Sequence, residues 1–113
     1  MGVGYELVNL TKRERVMFAH LPVNTAKEIC GNPVSAALVS WYLLCNGGDA
    51  IRFVDDCSEN GVDTTDFPDR TDDLVRELVE AGILEDHGFE WRDDEEPDTV
   101  FIRDIRNCWM TGA

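Results

Sequence analysis

Apolar positions come in short runs along the chain, and the polar residues between them set where each run must stop. Tyr5 to Leu10 and Arg15 to Leu21 read as two strands, joined by the polar Thr11-Lys12-Arg13-Glu14 in the manner of a hairpin and closed by Pro22. Thr25-Ala26-Lys27-Glu28 has the spacing of a capping box, in which the Thr hydroxyl and the Glu carboxylate serve the free amides of a short helix that Gly31 ends. A second helix follows. Asn32 is placed to cap it, Pro33 to occupy its first turn and Gly47-Gly48 to stop it. Val34, Ala37, Leu38, Trp41, Tyr42 and Cys45 recur there at helical spacing with Leu44 extending the stripe, so this is the predicted core helix.

Ile51 to Val54 predicts a strand, and Asp55 to Arg70 a loop rich in Asp, Gly, Thr and Pro. Thr71 is the expected cap of a third helix, with Asp72 and Asp73 at the positive end of its dipole. Leu74, Val75, Leu78 and Val79 form its inner face, and Gly82 ends it with Ile83 placed to tuck back on the core. Phe89 to Arg92 and Thr99 to Arg103 flank Asp93-Asp94-Glu95-Glu96-Pro97-Asp98, which reads as a hairpin with an acidic tip. Ile105, Cys108, Trp109 and Met110 either cover the core or sit exposed. The pattern is that of one α+β domain over residues 1–113, with about three helices and short antiparallel hairpins.

The segment Thr71 to Arg103, 33 of the 113 residues, resembles the second half of a winged-helix domain: a helix, a Gly-Ile-Leu exit and a two-stranded wing. In that family the matching helix reads the DNA major groove. Here it offers Asp72, Asp73, Glu77 and Glu80 against Arg76 and the preceding Arg70, and the wing tip offers five acids. Such groups repel phosphate, so the resemblance implies a shape whose use has moved to protein contacts.

Charge sharpens this. The net charge is −13, and it is uneven. Residues 1–54 are near neutral, whereas residues 55–113 hold 19 acids against five arginines. The excess exceeds what solubility needs in a small domain, roughly 2 to 8 units. A strongly negative half repels nucleic acid and membrane surfaces and steers basic proteins toward it. The longest apolar stretch, Val34 to Cys45, is short of the ~20 residues that span a bilayer. The N-terminus lacks the basic region and apolar run of a secretory signal, so a cytoplasmic location is expected.

Catalytic and metal chemistry find little support. Cys30, Cys45, Cys57 and Cys108 form no Cys-x-x-Cys pair and stand at no zinc spacing from His20 or His87; Cys30 and Cys45 read as buried structural thiols. Asp56-Cys57-Ser58-Glu59-Asn60-Gly61 begins like a calcium loop, but its twelfth position is Phe67 where a bidentate Glu is required. No phosphate-binding glycine loop or nucleophile elbow is present. The sequence therefore predicts a non-enzymatic protein without cofactor or metal, an inhibitor of the immunity-protein or phage-inhibitor type. It would dock its acidic half on a basic partner such as a nuclease, toxin or nucleic-acid-binding complex. The expected contacts are Asp72, Asp73, Glu77 and Glu80 on the helix and Trp91, Asp93, Asp94, Glu95, Glu96 and Asp98 on the hairpin. On the helix, residues 73, 77 and 80 share a face. The alternatives are a winged-helix-like regulator adapted to high salt and an accessory protein whose acidity serves only solubility. The oligomeric state is left open.

Overall fold

A computed structural model describes residues 4–55 and 63–111, without the side chains of 110 and 111. Strand β1 (Tyr5–Asn9) is the centre of a three-stranded antiparallel sheet, flanked by β2 (Glu14–Val16) and β3 (Ile51–Asp55). Alternation along β1 sends Leu7 and Val8 to opposite faces, and both faces are covered. Leu7 joins the main core with Val16, Phe18, Ile29, Leu38, Tyr42, Leu74, Val75, Leu78 and Leu84, whereas Val8 packs with Val54 and Phe67. The apolar Phe67 at the twelfth position of the calcium-like stretch thus has a packing role. That stretch's start, Asp56 to Gly61 with Cys57, lies outside the described residues.

The capping signals produce helices α1 (Ala26–Gly31) and α2 (Pro33–Cys45) as read. Thr25 Oγ1 accepts the Glu28 amide while the Glu28 carboxylate accepts the Thr25 amide. Asn32 Oδ1 accepts from the amides of Val34 and Ser35. The inner face of α2 is Val34, Leu38 and Tyr42. The predicted stripe runs too far at its C-terminal end: Leu44 and Cys45 are exposed, as is Cys30 on α1, so neither thiol is a buried hydrophobe. Helical spacing gives the direction of a face, and the core beneath it ends at Tyr42.

The second strand is shorter than its apolar run. It stops at Val16 because the next amides have other acceptors: Met17 N–H donates to Asp69 Oδ1 (3.1 Å) and Phe18 N–H to Thr71 Oγ1 (3.0 Å). Phe18 and His20 then take left-handed backbone angles, φ 59° and 63°, that no strand accommodates. The same two acceptors change the start of α3 (Thr71–Glu80). Thr71 is not the cap but the first helical residue and is buried; Arg70 precedes it without a side-chain cap bond, and Asp69 Oδ1 accepts the Thr71 amide (3.0 Å) and hydroxyl (2.6 Å). At the other end Gly82 (φ 79°) reverses the chain, its amide reaching the Val79 carbonyl and that of Ile83 reaching Leu78. This is a Schellman cap, with Ile83 packed on the core as predicted. Val79, expected inside, is exposed.

From that cap the chain enters a two-stranded sheet, β4 (Leu84–Arg92) and β5 (Phe101–Asn107), longer than the predicted hairpin at its base, and then one turn of helix, α4 (Cys108–Thr111). Buried Leu84 and Asn107, whose side-chain amide donates to the Pro33 carbonyl (3.1 Å), fix the base to the body. Ile105 packs on the core and Trp109 is exposed. No helix among the described residues is long and apolar enough to cross a membrane.

Candidate partner-binding surface

The acids singled out in the sequence lie on α3 and on the outer end of the hairpin, and internal arginines claim several of them. Arg103 on β5 donates to Asp72 on α3 and to Asp86 on β4, both at 3.0 Å, and so fastens the hairpin to the helix. Asp86 is held below the usual carboxylate pKa, first by the Gly88 amide and then by Arg103. Arg70 lies 3.2 Å from Asp73 and 3.8 Å from Glu77, and Arg76 reaches Asp73 at 3.0 Å. Glu77 also accepts the Trp41 indole N–H (3.0 Å). Asp73 and Glu77 do share a face, as their spacing predicts, but that face is already neutralised by arginine. Glu80 is exposed with no ion pair among the described residues.

At the tip, Asp93 is internal to the loop: its carboxylate accepts the amides of Glu95 (3.0 Å) and Glu96 (2.8 Å). Arg92 closes the turn from the other side, donating to the Pro97 carbonyl and to Asp98. The side chains of Asp94, Glu95 and Glu96 are left exposed with no cationic partner among the described residues. Antiparallel pairing puts Phe89 opposite Arg103 and Arg92 opposite Phe101, so the tip begins about 10 Å beyond the Arg103 clasp at ~3.3 Å per residue.

The aromatics give this end its shape. Trp91 is 51% exposed, and Phe89 is half exposed with the Arg92 guanidinium over its ring at 4.4 Å. Phe89 meets Phe101 edge to face (5.2 Å), and Phe101 stacks on His20 (3.8 Å), whose carbonyl accepts the Arg103 amide. The sequence carried no sign of His20 or of Arg103 as anchors; each pairs with a residue more than thirty positions away, beyond the reach of local spacing. Among the described residues no group of three His, Cys, Asp or Glu is arranged to hold a metal.

Compared with protein-family models, curated proteins and solved structures, the chain finds no match in any of the three.

Proposed function

We propose that the chain is a small binding protein that inhibits a basic partner, a nuclease, toxin or other nucleic-acid-handling protein, by docking the outer end of its acidic hairpin. The observation that carries this reading is the tip: three exposed carboxylates, Asp94, Glu95 and Glu96, without a cationic partner among the described residues and held in a closed turn beside the exposed Trp91. A ring that supplies apolar contact within a rim of carboxylates suits a cationic surface, the charges steering approach and the ring anchoring the complex. The carboxylates on α3 that arginines already occupy contribute less; Glu80 and the tip form the reactive part of the surface. A turn held by its own hydrogen bonds also presents these groups with little ordering left to lose.

The test is capture of partners by the tagged whole chain from its host's lysate, beside a variant carrying Asp94→Lys, Glu95→Lys and Glu96→Lys. One basic protein retained by the wild type, lost by the variant and released as salt rises supports the reading. Retention unaffected by the reversals refutes it. A winged-helix-like regulator is the second reading, favoured by the order of helix, Schellman cap and hairpin. It requires specific DNA binding in molar salt, since at low salt the acids on helix and tip oppose phosphate.

A further inference from the structure

Helix α2 has no charged residue in thirteen positions, in a chain where 29% of residues are charged. A helix uncharged and largely apolar on every side belongs in an interior, yet only one face of α2 is covered. Opposite Val34, Leu38 and Tyr42, the positions Pro33, Ala36, Ser40, Leu43 and Leu44, with the partly buried Ala37 at their edge, recur every three or four residues and form one stripe about 17 Å long. Its N-terminal half is a floor of small side chains under a groove of about 450 Å³, walled by Ile83 and Trp109, and none of the lining residues is charged. Its C-terminal half carries the bulk: Leu43 and Leu44 are 45% and 81% exposed, and Trp109 beside the groove is 75% exposed.

We propose that this face joins two copies of the chain, α2 of one packing antiparallel on α2 of the other about a two-fold axis near Ser40. Antiparallel pairing about residue 40 sets Leu44 against Ala36 and Leu43 against Ala37, so each copy's leucines fill the other's groove. That mutual fit of bulk to hollow is what an isologous contact requires. The contact forms against the net charge, since two chains of −13 repel, and this uncharged stripe is where they can touch without setting acid on acid. Asn107, which lines the groove, is at the base of the hairpin, so the acidic tip at its other end stays outside the contact. The proposal stands independently of the inhibitor reading.

Sedimentation of the whole chain up to about 200 µM, at low salt and at about 0.5 M, tests it. The expected result is a species of twice 12.7 kDa whose share grows with concentration and with salt, because salt screens the repulsion between copies. This is the reverse of the salt response expected for the hairpin and its partner. Leu44→Glu and, separately, Ala36→Glu each leave the circular dichroism and melting midpoint of the monomer unchanged and weaken the dimer about a hundredfold or more, since the two-fold axis repeats every change. A 12.7 kDa species under all these conditions, or a dimer that both variants leave intact, overturns the proposal.

Discussion

Replacing Asp69 by alanine removes one acceptor oxygen that three donors share: the amides of Met17 (3.1 Å) and Thr71 (3.0 Å) and the hydroxyl of Thr71 (2.6 Å). The Met17 amide is exposed and turns to water at little cost. The Thr71 amide loses what amounts to a helix cap, about 1 kcal/mol, and the buried Thr71 hydroxyl loses its acceptor, about 1–2 kcal/mol more. The sum is a destabilisation of about 2–3 kcal/mol, or a melting midpoint lower by about 8–12 °C in a domain of this size. Urea unfolding followed by tryptophan fluorescence and by circular dichroism measures it, and an unchanged urea slope assigns the loss to the folded state. Asp69→Asn keeps an acceptor at the same place and should lose about 1 kcal/mol less. A loss for Asp69→Ala below about 0.5 kcal/mol, the range of ordinary surface changes, refutes the view that this carboxylate ties the end of β2 to the start of α3.

Gly82→Ala meets no atom within 4 Å, so its cost is that of the left-handed backbone alone, about 1 kcal/mol in denaturant unfolding, with Gly82→Asn less costly. Arg103→Gln breaks the bridge to Asp72 and Asp86; because both carboxylates are largely exposed, the loss should be about 1 kcal/mol and shrink when unfolding is repeated at high salt. Asp49, whose pKa is lowered first by the Asn9 amide and then by Lys12, and Asp86, lowered first by the Gly88 amide, bind protons less readily folded than unfolded. Their contribution is complete above the ordinary Asp value of 3.8 and disappears as the pH falls below it, so melting midpoints should drop in that acid range and not between neutral pH and 5. Burial, and then its bond to the Glu14 carboxylate, raise the pKa of the Tyr42 phenol; its stabilising effect is complete below the ordinary 10.0 and lost above it. In absorbance titration of the folded protein, Tyr42 should remain un-ionised at pH 10 and 11 and ionise there only after unfolding.

Features that one turn of chain decides were legible in the sequence: the Thr25–Glu28 box, the Asn32-Pro33 start of α2 and the Gly82-Ile83 exit from α3 each depend on residues within four positions of one another. What failed depends on distant partners. The residues after Val16 have the composition of a strand, and Asp69 and Thr71, more than fifty positions on, take their amides. The hairpin begins at Leu84, five residues before its apolar alternation, because Glu85 and Asp86 pair with Arg106 and Ile105 along a strand whose side chains beyond the buried Leu84 are mostly exposed, so burial imposes no pattern there. The candidate surface divides the same way. Spacing showed which α3 acids share a face, but it could not show that Arg70 and Arg76 neutralise Asp73 and Glu77 on that face while Arg103 takes Asp72, leaving Glu80 and the tip as the free charge among the described residues.

Because the hairpin is fastened at its base, by Leu84, Asn107 and the Arg103 clasp, the side chains of its outer turn support nothing beneath them. Substitution at Asp94, Glu95 or Glu96 therefore falls in the range of surface changes that leave folding within about 0.5 kcal/mol. The turn can change its sequence while the scaffold keeps its own, so a library randomised at these three positions would vary recognition over a constant fold.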